Sequence, residues 1–141
     1  MGKPLVQAKK ELATMIDRAN HILRLAIRSL ESENVLVDSQ NMMKIVKEPV
    51  GPTLIISPWN YPLLTVIAPL VSAIVSGNPI LLRHSIRTPK MGKYFSDAFE
   101  SIGAQNWVQD TFLQSEDIKY LYNNVSLKLK KDKCFMFYRF C

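Results

Sequence analysis

Three kinds of side chain in this sequence could take part in chemistry: the amide of Asn60, the imidazole of His84 and the thiols of Cys134 and Cys141. An amide N–H aimed at a carbonyl oxygen stabilises the oxyanion that forms there by a few kcal/mol. A cysteine thiolate can act as a nucleophile. Each group also has a simpler interpretation. Asn60 lies in a proline-bounded turn and can cap a helix, and His84 on its own is typical of an ordinary loop histidine.

The two cysteines are weak candidates for catalysis. Both lie in the last eight positions, and their spacing is typical of neither a metal site nor a disulfide framework. Lys133 precedes Cys134, and a neighbouring cation favours the thiolate, but the aromatic residues around it predict a buried or adventitious thiol. No base or orienting group can be assigned to either cysteine. Because the cysteine spacing is not that of a disulfide framework, a reducing, cytoplasmic setting is expected.

The distribution of charge argues against a basic binding surface. Of the net charge of +6, residues 125–141 carry +4, so the rest of the chain is nearly neutral. A basic and then aromatic tail could bind single-stranded nucleic acid, and this hypothesis ranks last. The most apolar stretch, Tyr61–Ser76, is shorter than the roughly 20 residues that span a bilayer and contains two prolines. It predicts a buried helix, and no transmembrane segment or secretory signal is expected.

The first part of the chain predicts a long helix and a short strand. Apolar residues recur every three or four positions from Pro4 to Leu30, as on one face of a helix. Residues 32–40 read as a polar loop, and Met42–Val46 reads as a strand that ends at the Glu48-Pro49 turn.

The middle of the chain alternates between short apolar runs and helical patterns. The predicted order is strand Leu54–Ile56, helix Leu63–Val75, strand Pro79–Leu82, a helix from Thr88-Pro89 to Gly103, strand Trp107–Leu113 and a short helix from Ser115. The buried residues predicted for the second of these helices are Met91, Tyr94, Phe95, Ala98, Phe99 and Ile102. This alternation predicts an α/β fold with a partial doubly wound, Rossmann-like parallel sheet, in which ligands bind beyond the carboxyl ends of the strands.

Two segments at the expected strand ends resemble motifs of the aldehyde dehydrogenase superfamily. The segment from Glu48 to Pro62 contains Ser-Pro-Trp-Asn-Tyr-Pro, which is similar to the family's strand-to-helix signature. The segment from Gly77 to Pro89 resembles the next strand and loop, in the form found in the succinate-semialdehyde dehydrogenase branch. The residues after Gly2 also resemble that branch's entry into its long first helix. The resemblance extends from about Gly2 to Asn124.

The resemblance implies roles for six residues. Asn60 matches the family residue that stabilises the oxyanion, and Ser57, Pro58 and Trp59 match positions that line the cleft for NAD or NADP. Arg83 and Ser85 match the cofactor-binding loop, where the family has a lysine at the position of Arg83. Arginine keeps the charge but not the compact ammonium, so the contact geometry is expected to change. Ile86 stands where many relatives carry an acidic residue.

The family residues that complete the reaction are not found in this sequence. The glycine-containing dinucleotide turn, the general-base glutamate and the nucleophilic cysteine of the family lie beyond the match. We therefore expect residues 1–124 to be a partial NAD(P)-binding domain and residues 125–141 to be a divergent basic and aromatic tail, as a frameshift or premature stop produces. The family reaction is NAD(P)-dependent oxidation of a small-molecule aldehyde, such as succinate semialdehyde, to a carboxylate. The chain alone is expected to be an inactive pseudoenzyme.

The alternative interpretation is a non-catalytic interaction module. In this hypothesis the chain pairs with a full-length aldehyde dehydrogenase, or with a second copy of itself, through the Met42–Val46 strand or an unpaired sheet edge. Half of a doubly wound sheet leaves apolar faces that the missing part would cover, so the chain is expected to be either poorly folded or self-associating.

Overall fold

The architecture is known from a computed structural model that describes residues 2–37, 42–114, 116–120 and 137–139. The elements in chain order are α1 Leu5–Leu30, β1 Glu33–Val37, β2 Met42–Ile45, β3 Thr53–Ser57, α2 Leu64–Val75, β4 Ile80–His84, α3 Lys90–Ser101, β5 Val108–Asp110 and β6 Phe137–Arg139. Residues 116–120 are also helical. From β3 to β5 this is the alternation that the sequence predicts.

A four-stranded parallel sheet organises the fold, with strand order β5-β4-β3-β6. The parallel α/β sheet predicted from the sequence is therefore confirmed. The edge strand β6 differs from expectation, because it lies in the tail, which the sequence predicts to fall outside the alternation. It pairs with β3, with Leu54 opposite Phe137 and Ile56 opposite Arg139. The apolar and aromatic residues of this segment favour extended structure, and the open edge of β3 offers unpaired backbone groups.

A separate antiparallel hairpin is formed by β1 and β2. The prediction for Met42–Val46 is confirmed apart from its last residue, but the predicted polar loop was wrong for Glu33–Val37, which is strand. This segment contains a run of three apolar residues between polar ones. Two of the three are valines, which favour strands. The pairing sets Glu33 opposite Ile45 and Val37 opposite Met42.

The hydrophobic core lies between the sheet and α2. Its central side chains come from three strands and one helix and are fully buried: Ile55, Val66, Leu82 and Val108. The long helix α1 packs across α2, and its residues Met15, Ala19 and Ile22 cover the core from that side. None of the described helices has both the length and the apolar character that a membrane span requires.

Helix α3 buries fewer residues than its sequence predicts. Phe95 and Phe99 pack against the core, whereas Tyr94 is 61% exposed and Ile102 is 74% exposed. The predicted apolar stripe is wider than the surface that β4 and β5 offer to the helix, so its margins stay in solvent.

Glycine ends both α2 and α3, as predicted. Gly77 has φ +78° and Gly103 has φ +77°, the left-handed conformation that lets the chain turn away from a helix. The N–H of Gly77 donates to the carbonyl of Ile74 at 2.9 Å, and the N–H of Gly103 donates to that of Glu100 at 3.0 Å. These bonds satisfy carbonyls that the helix cannot pair internally.

Candidate functional site

The two motif segments lie side by side because β3 and β4 are neighbours with aligned carboxyl ends. In the parallel register Ile56 is opposite Arg83 and Ser57 is opposite His84. The turn after β3 and the loop after β4 therefore leave the same edge of the sheet, where ligands of parallel α/β folds bind. We call residues 58–62 the proline turn, and we call residues 83–85, which are the last two residues of β4 and the first residue of the loop that follows, the basic loop.

The side chains of the proline turn differ in how far solvent can reach them. Ser57, just before the turn, is buried, and its Oγ lies 3.4 Å from Oγ1 of Thr65. Trp59 is 44% exposed, and Asn60 is also exposed. Among the described residues the Asn60 amide has no hydrogen-bond partner, so both of its N–H donors are open to a ligand.

The proline turn holds an uncommon backbone conformation at Tyr61. With φ +50°, Tyr61 is the one non-glycine residue with positive φ in the part of the chain that the structure describes. A bulky residue in this region is uncommon and strained. Its carbonyl accepts hydrogen bonds from N of Thr65 at 3.0 Å and from Oγ1 of Thr65 at 2.9 Å. These bonds tie the strained residue to the first turn of α2.

Asn60 does not cap α2, contrary to the sequence interpretation. The helix begins after Leu63, which has helical dihedrals and no side-chain cap of its own. Asn60 lies three residues too early to bond the first amides. Those amides are bound instead by Glu11 of α1, whose Oε1 accepts from N of Leu63 at 2.9 Å.

The basic loop is anchored at both of its outer residues. Nε of half-buried Arg83 donates to the carbonyl of Leu113 at 3.0 Å. Oγ of Ser85 accepts a hydrogen bond from N of Arg87 at 3.3 Å, and the backbone carbonyl of Ser85 accepts one from N of Thr88 at 2.8 Å. Within the described part of the chain, the other four N–H donors of Arg83 and the hydroxyl proton of Ser85 have no acceptor.

His84 is a buried residue at the end of β4 and not a loop histidine, so that interpretation was wrong. It is 6% exposed, its ring stacks on Phe95 with centroids 6.0 Å apart, and Nε2 donates to the carbonyl of Pro62 at 3.0 Å. Among the described residues its Nδ1 has no partner. Burial lowers the pKa of His84, and the Pro62 carbonyl and the Asp110 carboxylate only partly offset that effect.

His84 should make stability depend on pH in the mildly acidic range. The pKa of His84 is lower in the fold than the ordinary value of 6.5, because burial favours the neutral imidazole. The contribution of this neutral imidazole to the free energy of unfolding is therefore complete above pH 6.5. It is lost as the pH falls through the folded-state pKa. We expect the free energy of unfolding, measured in urea across this range, to lose that dependence in His84→Gln. The exposed His21 provides the control, and an equal change in His21→Gln would contradict the assignment.

The sequence of the chain matches the model of a known protein family. A sequence model of the aldehyde dehydrogenase family matches residues 1–117, which include the proline turn and the basic loop. The chain belongs to the aldehyde dehydrogenase family. The family resemblance seen in the two motifs is therefore confirmed.

Individual members of the aldehyde dehydrogenase family match at moderate identity. The chain is 32% identical over 103 residues to the succinate semialdehyde dehydrogenase Sad of Escherichia coli strain K12, covering 73% of this chain and 22% of that protein. It is 35% identical over 103 residues to a 1-pyrroline-5-carboxylate dehydrogenase of Oceanobacillus iheyensis, covering 72% of this chain and 20% of that protein. The chain thus spans about a fifth of the length of these curated relatives.

Solved aldehyde dehydrogenase structures share the fold. The succinic semialdehyde dehydrogenase from Streptococcus pyogenes, solved with NADP+, matches with a TM-score of 0.75 at 23% identity over 86% of this chain and 27% of that one. The NADP-dependent glyceraldehyde-3-phosphate dehydrogenase from Bacillus halodurans C-125, solved with NADP, matches with a TM-score of 0.70 at 26% identity over 83% of this chain and 26% of that one.

Glu11 is the site residue that sequence reasoning missed. It follows Ala8 by three positions and precedes Met15 by four, so it occupies the apolar stripe of α1. A carboxylate at such a position must be paired when the helix packs. That break in the stripe was the available signal. It could not reveal the partner, because Leu63 is 52 residues away.

Proposed function

We propose that residues 1–124 form part of the cofactor and oxyanion side of an NAD(P)-dependent aldehyde dehydrogenase site. The family reaction would be oxidation of an aldehyde, with succinate semialdehyde as the proposed substrate, to the carboxylate. One observation carries the proposal: the exposed Asn60 amide and the basic loop lie at the same edge of the sheet. We further propose that the 141-residue chain, with a divergent tail at 125–141, does not complete the reaction and resides in the cytoplasm.

Asn60 is the proposed oxyanion stabiliser. Its N–H donors would bind the carbonyl oxygen of the aldehyde as negative charge develops on it, which is the stage at which such a bond accelerates the reaction. The strained backbone at Tyr61 and the His84 bond to Pro62 support this role, since both limit movement of the turn that carries Asn60. A nucleophile is still needed. The candidate thiols of Cys134 and Cys141 lie outside the described residues, and neither has the family's sequence context.

The donor set at the basic loop fits a nicotinamide dinucleotide. The remaining N–H groups of Arg83 and the hydroxyl of Ser85 suit ribose hydroxyls or a phosphate. The neighbouring proline turn presents half-buried Pro58 and Trp59, which is 44% exposed, after buried Ser57. When bound, NAD or NADP would supply the acceptor for the hydride. The chain's own residues would bind and orient it.

Binding of NADP+ to the purified chain tests this assignment without requiring turnover. We expect Arg83→Ala to weaken binding about tenfold or more, because a charge-assisted hydrogen bond contributes about 1.5–3 kcal/mol. Isothermal titration calorimetry measures the change, and Arg24→Ala on the exposed side of α1 is the matched control. Equal binding by the Arg83→Ala and wild-type chains would remove Arg83 from the site.

The second candidate function is an interaction module for a full-length aldehyde dehydrogenase or a second copy of this chain. The hairpin favours it, because Val35, Met42, Met43 and Ile45 all expose more than half of their surface. Exposed apolar clusters of this kind mark protein contacts. Co-expression with a full-length dehydrogenase should then give co-purification that Met43→Lys reduces. Undiminished co-purification of that variant would exclude the hairpin as the contact.

A further inference from the structure

A buried carboxylate on α1 contacts the beginning of α2, just after the proline turn. Glu11 is only 5% exposed, although most side chains of α1 are open to solvent. Its Oε1 accepts hydrogen bonds from N of Leu63 at 2.9 Å and from N of Leu64 at 3.1 Å. Its Oε2 is paired with the ammonium of Lys3. All of its partners are thus at one junction between α1 and α2.

Glu11 supplies what the local sequence of α2 does not. A helix begins with backbone N–H groups that have no partner inside the helix, and a nearby serine, threonine, asparagine or aspartate usually accepts from them. Neither Leu63 nor Pro62 before it has a side chain that can accept these hydrogen bonds. A carboxylate is the strongest acceptor for this position, since it also interacts favourably with the helix dipole. The cap therefore comes from another helix, 52 residues earlier in the chain.

Lys3 extends the same contact to the proline turn itself. Its ammonium lies 4.3 Å from the centroid of the Tyr61 ring while it is paired with Glu11. Tyr61 is the strained residue of the turn, and it directly follows Asn60. The amino-terminal part of α1 thus holds the turn at Tyr61 through Lys3, and at Leu63 and Leu64 through Glu11.

We propose that Glu11 is a positioning residue for Asn60: it fixes the start of α2 from α1 and, with Lys3, sets the geometry of the proline turn. The carboxylate does not touch the reacting atoms. Its importance for catalysis rests on the proposed function of Asn60, whereas its effect on the turn does not. Glu11 is thereby the counterpart of His84, which binds the turn at Pro62 from the side of β4.

The charge of Glu11 gives a readout that packing alone would not produce. Burial opposes the charge, but the hydrogen bonds from Lys3, Leu64 and Leu63 outweigh burial and lower the pKa of the Glu11 carboxyl below its ordinary value of 4.5. In an isotope-labelled chain, the amide proton resonances of Leu63 and Leu64 should therefore shift as the pH falls through that lowered pKa, separately from any change that titration of His84 transmits through the Pro62 carbonyl. The shift should be absent in Glu11→Gln.

Hydrogen exchange of the same two amides tests the positioning role. We expect exchange at Leu63 and Leu64 to accelerate about tenfold or more in Glu11→Met, which keeps the volume but has no strong acceptor. Glu11→Gln keeps an acceptor without the charge and should give a smaller acceleration. Asp17→Asn, at an exposed acid of the same helix, should change neither amide. The Trp59 indole resonance should also move in both Glu11 variants and stay in place in the control.

Three results would overturn the proposal: unchanged exchange in Glu11→Met, equal effects of Glu11→Met and Asp17→Asn, or no titration of the two amides in the wild-type chain. If Glu11→Met does not fold, the pH titration of the two amides in the wild-type chain and in Glu11→Gln still tests the proposal. Failure of NADP+ to bind would contradict the proposed function while leaving these amide measurements intact.

Discussion

Replacing Leu82 by alanine is expected to lower the free energy of unfolding by about 2–5 kcal/mol. Leu82 is 0% exposed and lies in β4, the strand that pairs with β3 on one side and β5 on the other. It is opposite Ile55, which is also fully buried. Strands on both sides limit collapse around the missing atoms, so the cavity would remain largely empty.

Urea unfolding followed by circular dichroism measures the effect of Leu82→Ala. The control is Leu25→Ala, the same substitution at a residue of α1 that is 52% exposed. We expect the control to change the midpoint little, because substitutions at exposed positions away from special features usually change stability by less than about 0.5 kcal/mol. Equal losses in the two variants would show that β4 does not lie at the centre of the core.

Gly77→Ala is expected to destabilise the chain by about 2–5 kcal/mol, through two separate effects. The first is backbone strain, since an L-residue at φ +78° costs about 1–2 kcal/mol. The second is steric. A Cβ atom at this position would lie 2.8 Å from Cγ of Pro49, which belongs to a rigid ring, and overpacking of this kind costs about 1–3 kcal/mol.

Gly103→Ala separates these two effects. Gly103 has nearly the same dihedral, φ +77°, but a Cβ there would meet no atom within 4 Å. The substitution should therefore show only the backbone cost. Denaturation of both variants under one set of conditions gives the difference, which reports the contact between Gly77 and Pro49. If the two alanine variants lose the same stability, the chain before β3 does not pack on the end of α2 as described.

The regular part of the fold could be predicted because its signals are local. Short apolar runs between prolines and glycines gave β3 and β4, and the glycines gave the ends of α2 and α3. Backbone preferences and periodicity act over a few residues, so the sequence contains them directly. The adjacency of the proline turn and the basic loop followed from the parallel topology that this alternation implies.

The remaining features depend on contacts between distant segments. Asn60 looked like the cap of α2, but Glu11 of α1 fills that role. His84 looked like a loop residue, but Phe95 and Pro62 enclose it at the end of β4. None of these partners is adjacent in sequence, so propensity alone could not identify them.

The most direct test of the central claim is incubation of the purified 141-residue chain with succinate semialdehyde and either NAD or NADP. We expect no formation of reduced cofactor, measured by its absorbance, because under the proposed function the chain contributes Asn60 and the basic loop, while neither of its two cysteines has the sequence context of the family's nucleophile. A full-length aldehyde dehydrogenase serves as the positive control. Aldehyde-dependent reduction by the chain alone, abolished by Asn60→Ala, would contradict the account.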